Sequence, residues 1–561
     1  MQDDEMVNSR VRPRVIVLGL DAATFDLLDP WIEQGKLPQL ARLMDEGAAG
    51  VLLSTIHPIS PVAWTSFMTG MNAGKHGIFE WSQRIPDSYD CRPVNSTHIL
   101  GEPFWRYLNR QGISTGIMNV PLTYPVSAVA PFDGFLISGL LTPGTHVTFS
   151  WPKGLGPELS EAVGGYEILG KETTAAPGME ERLAKALLKT VEKRVRAARY
   201  LIREYPQDFM MFVFMETDHA QHQLWKFLQS DDMQLCDAIL NTYQIIDGFV
   251  GDLLAELPEE TTIIIMSDHG AGPLEKILYM NSWLISEGFM RVKHDTLAKL
   301  KRFVAQHNVI RRLYKLLACL KLSWLERFVP RHQRANLLNS FVSLASDVDW
   351  HNTRAYAHGS LGQIYLNVQG REPLGTVRPE EYDDVRDQII ERLYELRDEE
   401  TGQGIVDRVY RREEIYSGPA LELAPDILFM AQEYAYITSE GHMRLDGSTL
   451  MARNPIGISA THRRNGILIA RGPNIRPGQL AESSLLDLTP TLLYLLGCPI
   501  PSCMDGQVCT SLFDKSWLES RPIVWTDSGE ITREEHKSVS ALEANEEAAI
   551  IDRLRGLGYV D

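Results

Sequence analysis

Apolar residues in this chain fall into two rhythms. "RVIVLGL" (14–20), "DFMMFVFMETD" (208–218), "TTIIIMSDHG" (261–270) and "GILIARGP" (466–473) contain short continuous apolar runs. Runs of that length without polar alternation predict strands buried on both faces. Between them, "MEERLAKALLKTVEKRVRAARYLIREY" (179–205) and "CDAILNTYQIIDGFVGDLLAEL" (236–257) carry apolar residues at helical spacing. Strands alternating with helices predict an α/β fold, with a mostly parallel central sheet flanked by helices. Further on, 355–370 reads as strand, 377–396 as helix and 540–560 as a short C-terminal helix.

One stretch breaks the rhythm. Residues 291–334 carry about a dozen Lys and Arg against two acids, with apolar residues still at helical spacing. This predicts a basic helical insert or cap that packs on the protein; weak contact with an anionic membrane surface is the functional alternative. The expected organisation is a flexible N-terminus (1–13), a catalytic core (14–290 and 350–515), the insert (291–349) and a C-terminal tail with a short helix (516–561).

Composition narrows the partners. A formal net charge of −18 argues against nucleic acid, whose phosphates favour a basic surface. The six cysteines show no paired spacing, and the first apolar run is too short for a signal segment or a membrane span, so a cytoplasmic protein is expected.

Candidate chemistry gathers where predicted strands stop. Asp21, Asp218 and Asp268 each follow such a run, and in open α/β sheets ligands lie beyond the carboxyl ends of the strands. His222 lies four residues after Asp218, a spacing that puts both on one helix face. His269 adjoins Asp268, and His462 precedes the last strand. Three carboxylates and three imidazoles form a mixed O and N donor set that suits zinc, manganese or iron better than calcium, and zinc is expected first with manganese as the alternative. Two such ions roughly 4 Å apart are the usual clamp for attack at phosphorus. The missing part is a nucleophile, and "HPISPVAWTSFMTGMNAGKHGIF" (57–79) offers Ser60, Thr65, Ser66 and Thr69, with Thr55 just upstream. Pro61 favours a helix starting beside Ser60, which would put that hydroxyl at a helix amino end suited to phosphate. The same position also suits an ordinary capping serine.

The order of Asp21, a hydroxyl followed by "TGMNAGKHGI", Asp218 with His222, "DHG" at 268–270 and "TH" at 461–462 resembles the alkaline phosphatase superfamily. Within it the chain looks like the type I phosphodiesterase/nucleotide pyrophosphatase branch, and is similar to bacterial and archaeal predicted phosphohydrolases or phosphomutases. The resemblance implies an alkaline phosphatase-like core. It implies that the nucleophile lies nine residues before the Thr of "TG", which is Ser60, with Thr65 as runner-up. It further implies one divalent ion held by Asp218, His222 and His462. A second would be held by Asp21, Asp268 and His269, with the Ser60 oxygen as an added ligand. The implied reaction is hydrolysis of a phosphodiester or pyrophosphate bond of a small molecule through a phosphoseryl intermediate. Phosphomonoesterase or phosphomutase activity is the alternative, and a non-catalytic docking protein a further one.

The chain also departs from that pattern. Nucleotide pyrophosphatases carry an asparagine shortly after "HGI", where Trp81 stands here; Lys75 and Asn119 are the candidate replacement donors. The sulfatase branch carries an arginine four residues after its nucleophile, where this chain has Trp64.

Overall fold

The computed structural model describes residues 13–131, 133–170, 178–293, 347–439, 449–454, 458–527 and 542–557. The strand Val15–Leu20 is the centre of the main sheet. It pairs in parallel with Phe209–Phe214 on one side and Thr262–Met266 on the other. Thr115–Met118 and then Gly134–Ile137 extend the parallel order beyond Phe209–Phe214. Every residue of the three central strands is buried, as their unbroken apolar sequence requires. Alternate side chains feed two cores: Val15 and Val17 join one hydrophobic cluster, Ile16, Leu18 and Leu20 the other. Helices cover both faces, among them the expected Glu180–Glu204 and Ala238–Glu256.

The fourth expected strand, Asn465–Arg471, enters the same sheet in the opposite direction. It runs antiparallel between Thr262–Met266 and Ala48–Leu53. A fully buried strand has the same apolar sequence whichever way it points, so direction was not readable from composition. Direction matters for the site. Parallel strands finish at one edge of the sheet, whereas an antiparallel strand begins there. Residues that follow the parallel strands (Asp21, Asp218, Asp268, His269) can therefore meet one that precedes the reversed strand, His462. The short strand Ala460–Arg463 completes the approach by pairing with Gly270–Pro273, which puts His462 opposite Ala271.

The stretch 350–515, assigned as a whole to the core from sequence, divides in two. Ala355–Ala357, Gln363–Leu366, Val406–Arg411 and Ile427–Ala431 form a separate antiparallel sheet. The helix Tyr382–Glu395 contributes Val385, Ile389 and Leu393 to that sheet's own hydrophobic core. This second lobe is pinned by a buried carboxylate, Asp426, which accepts two hydrogen bonds from Arg371 and one from the Tyr382 hydroxyl. Among the described residues the chain re-enters the main sheet with Asn465–Arg471.

Most of the expected basic insert, and the membrane contact considered for it, falls in 294–346, outside the described residues; so does 1–12. The flanks of the insert meet: the Lys293 amide donates to the Asp347 carbonyl at 2.9 Å, and Val292 bridges Val348. Among the described residues no helix is long and apolar enough to cross a membrane. The expected C-terminal helix is Ala544–Leu557, and Arg553 ties it down by donating to the Thr142 carbonyl at 2.6 Å.

One close contact joins the sheet to the site. A Cβ on Gly19 would lie 2.6 Å from the Trp64 ring and 3.0 Å from Val213, so the bare backbone there is what lets Trp64 lie against the central strand. Gly19→Val is expected to lower stability by about 1–3 kcal/mol through overpacking. Urea denaturation measures this, and the loss should come without a change in the m-value.

Candidate active site and metal centre

The hydroxyls of the stretch 55–69 differ in their surroundings. Ser60 opens the helix Ser60–Thr69, with Ile59 as the cap and Pro61 in the first turn. Four of the five hydroxyls have local partners. Thr65 donates to the Pro61 carbonyl at 2.6 Å, Thr69 to that of Thr65 at 2.7 Å and Thr55 to that of His57 at 2.8 Å. Ser66 lies 2.9 Å from His76 Nε2. The Ser60 hydroxyl alone faces the ligand set, donating to His269 Nε2 at 3.2 Å.

The six expected ligands come together as two trios. The donor atoms of Asp218, His222 and His462 lie within 4.8 Å of one another, as do those of Asp21, Asp268 and His269. Asp218 and His222 share one face of the helix Glu216–Leu224, which starts two residues after its strand ends. The trios share a wall, because the His269 and His462 rings stack with centroids 3.8 Å apart.

All three imidazoles are held in the same way. His222 Nδ1 donates to the Ala460 carbonyl at 2.7 Å, His462 Nδ1 to Pro58 at 2.7 Å and His269 Nδ1 to Gly270 at 3.1 Å. A carbonyl only accepts, so the ring proton sits on Nδ1 and the Nε2 lone pair is left for a ligand or a cation. Those Nε2 atoms converge on carboxylates. His222 lies 3.1 Å and His462 3.7 Å from Asp218 Oδ1, while His269 lies 3.3 Å from Asp268 Oδ2 and 3.7 Å from Asp21 Oδ1. His222 Nε2 and His462 Nε2 face each other at 3.0 Å. When both rings are neutral, with their Nδ1 protons engaged, two lone pairs meet there, an arrangement that a bound cation relieves.

The electrostatics agree. Burial, then the nearby Asp268 and Asp218 charges, pushes Asp21 well above the usual carboxylate range; burial and Asp218 do the same to Asp268. Asp21 Oδ1 and Asp268 Oδ2 are buried oxygens without a hydrogen-bond donor. Burial lowers the His269 pKa to about 4, and burial together with His269 and His222 drives His462 well below its ordinary value. Buried carboxylates crowded together beside neutral imidazoles are a donor set short of positive charge, and divalent cations fit it.

A family model described as type I phosphodiesterase/nucleotide pyrophosphatase matches residues 15–462, from the first strand to His462. The chain belongs to this family. It is a metal-dependent phosphoryl hydrolase of the phosphodiesterase/nucleotide pyrophosphatase type. One solved protein, in two complexes, agrees in fold. A phosphonoacetate hydrolase from Sinorhizobium meliloti 1021, in complex with phosphonoformate, superposes with a TM-score of 0.51 at 16% identity, covering 85% of this chain and 94% of that one. The same protein with phosphonoacetate gives 0.52. A murine ectonucleotide pyrophosphatase/phosphodiesterase 5 aligns at 13% identity over 87% of this chain and 96% of that one, with a TM-score of 0.46. A search of curated protein sequences returns no match.

Two residues considered as phosphoryl donors have protein partners here. The Lys75 ammonium, on the short helix Ala73–His76, contacts Asp505 at 2.5 Å and the Cys503 carbonyl at 2.8 Å. Asn119 does sit at the carboxyl edge of its strand, in left-handed conformation at φ 66°, but its amide donates to the Val213 carbonyl at 3.1 Å. Trp81 is buried.

Other residues that shape the site had no signal beyond apolar or small polar character. Trp64 Nε1 donates to Asp21 Oδ2 at 2.7 Å, and Thr217 Oγ1 donates to the Asp21 carbonyl at 2.7 Å. Behind Asp218, Glu216 pairs with the buried Arg194 at 3.1 Å, tying the start of the ligand helix to the helix Glu180–Glu204. Trp64 stands four residues after Ser60, one turn along the same helix face. It therefore links the helix of Ser60 to Asp21, and by engaging one Asp21 oxygen it leaves the other toward His269. Trp64→Phe keeps the packing and removes that bond. Divalent-metal affinity is expected to fall about 10- to 100-fold, as for other lost partners of metal ligands. Titration against a chelator of known affinity checks this.

Proposed function

We propose that this phosphodiesterase-family chain cleaves a phosphodiester or pyrophosphate bond of a small molecule at a two-metal site, with Ser60 as nucleophile. The observation that supports this most directly is the position of the Ser60 hydroxyl, 3.2 Å from His269 Nε2 and at the amino end of its helix. Asp218, His222 and His462 would hold one divalent ion, and Asp21, Asp268 and His269 the other, zinc or manganese by donor type. Bound there, the ions would supply Lewis acidity that lowers the pKa of an attacking oxygen and neutralises phosphoryl charge.

The residues of the chain do the rest. Ser60 Oγ, losing its proton, attacks phosphorus; the Oγ–P bond forms as the bond to the leaving oxygen breaks, and the leaving group takes up a proton. The partial positive charge at the helix amino end favours the serine oxygen as an anion. Water then attacks the phosphoseryl group, the Oγ–P bond breaks, and the Ser60 hydroxyl is restored with release of a phosphate monoester. Trp64 and Thr217 hold Asp21 through this cycle, and the carbonyls of Ala460, Pro58 and Gly270 keep each imidazole from turning. A monoesterase or mutase would use the same residues, and the ester preference separates these readings.

Hydrolysis of bis-p-nitrophenyl phosphate and p-nitrophenyl phosphate by zinc- or manganese-loaded protein tests the proposal. Diester preference is expected, with Ser60→Ala reducing kcat by about 1,000-fold or more. Activity that survives in Ser60→Ala would remove Ser60 as nucleophile. Chelation should abolish turnover, and add-back restore it.

Activity and metal loading should also rise with pH. Burial alone would lower the pKa of His222, but the Asp218 carboxylate outweighs it and holds the value above 6.5. As pH rises through that raised value, His222 loses its proton and its Nε2 becomes available to a cation. Equilibrium dialysis across pH 5–9 should show loading that falls on the acid side; loading that is flat over this range would contradict the role given to His222.

A further inference from the structure

The loop that delivers Ser60 is held largely by the second lobe. The Tyr416 hydroxyl donates to the Ile56 carbonyl. His57, buried to 1% exposure, uses both ring nitrogens: Nε2 lies 3.2 Å from the Gly362 carbonyl and Nδ1 3.1 Å from the Tyr434 hydroxyl. The carbonyl can only accept, so Nε2 carries the proton and Nδ1 accepts from Tyr434. Burial, reinforced by the Arg464 charge, lowers the pKa of His57 to about 3, so the ring is neutral at any working pH.

Tyr434 is itself constrained. Gln432, Glu433 and Tyr434 occupy the left-handed region in succession, at φ 47°, 49° and 66°. Non-glycine residues persist there only where their surroundings fix them, and such strain clusters at functional sites. The Tyr434 carbonyl accepts from Arg463 Nη1 at 3.0 Å, and Arg463 adjoins His462, whose Nδ1 returns to the Pro58 carbonyl. The contacts close a circuit: His57 to Tyr434, Tyr434 to Arg463, then His462 back to the residue after His57. It passes through the nucleophile loop, the second lobe and a ligand strand.

We propose that His57 is a positioning residue for Ser60: by bridging Gly362 and Tyr434 it makes the second lobe part of the device that aims the nucleophile. The proposal rests on the Ser60 reading above. A residue needed only to fill space would be replaceable by phenylalanine, whereas a bridge requires one donor and one acceptor at fixed places. Glutamine offers both and phenylalanine neither.

The test compares metal-loaded wild type with His57→Phe, His57→Gln, Tyr434→Phe and the control Tyr410→Phe, whose hydroxyl contacts Met430 Sδ. Metal content, melting temperature, kcat and KM are measured, with hydrogen–deuterium exchange of amides 54–63 in the absence of substrate. In His57→Phe, kcat is expected to fall about 10- to 100-fold with KM within about twofold and metal content unchanged, the size of effect that a misaimed nucleophile produces. Exchange over 56–60 should quicken in His57→Phe and Tyr434→Phe and stay at the wild-type rate in the control, and His57→Gln should recover most of kcat. Wild-type kcat and exchange in folded His57→Phe would overturn the proposal, as would losses that only follow lost metal. If wild type hydrolyses neither ester, the functional reading fails separately, and the exchange comparison alone decides whether His57 fixes the loop.

Discussion

Asp21, Asp218 and Asp268 are buried together at one edge of the main sheet, and the neighbouring structure answers the problem that this creates. Carboxylates removed from water need partners, and beside like charges they need them more. The fold supplies neutral imidazoles whose Nδ1 protons are engaged by backbone carbonyls. It adds an indole N–H on one Asp21 oxygen and leaves Asp21 Oδ1 and Asp268 Oδ2 without a hydrogen-bond donor. Such a centre is unstable as a set of bare side chains and coherent as a cation cradle. The rigidity required comes from the central strands, which are buried throughout and cannot shift to relieve the crowding.

Much of this was legible because catalytic residues at strand ends leave a two-part signature, an apolar run followed at once by an acid. Asp21 and the Asp268–His269 pair carry it plainly, and Asp218 with His222 adds a helical spacing. His462 does not carry it, since it precedes its strand and belongs with the others only once that strand is seen to be reversed. Choosing Ser60 from five hydroxyls needed the family resemblance; the structure adds the physical reason, namely that the other four have local partners. Lys75 stands in sequence as a candidate replacement donor, and nothing in the sequence reveals its salt bridge to Asp505. Trp64 and Arg194 were invisible for the opposite reason. An indole in an apolar helix reads as core, and a lone arginine in a basic helix reads as surface. The separate sheet of the second lobe was legible only in part: 355–370 reads as strand and holds Ala355–Ala357 and Gln363–Leu366, but nothing in those short apolar runs says that they pair away from the main sheet.

The molecule divides its tasks by stiffness. The sheet fixes the acids, the helix beginning at Ser60 presents the hydroxyl, and the second lobe closes behind the loop that joins them. Trp64 couples the first two and His57 the last two. These aromatic side chains each combine a large buried surface with one directed polar contact or two, so they transmit position as well as fill space.

The reversed strand Asn465–Arg471 also has a consequence for biosynthesis. It lies between Ala48–Leu53 and Thr262–Met266, so a ribosome has made most of the polypeptide before the wedge that joins those two strands exists. Until then both neighbours expose unpaired edges, which are templates for mispairing, and such distant pairings form slowly. The same delay keeps His462 out of the ligand set. A nascent or prematurely terminated chain therefore has an open sheet and an incomplete centre together, and the trio of Asp218, His222 and His462 is assembled only with closure of the fold.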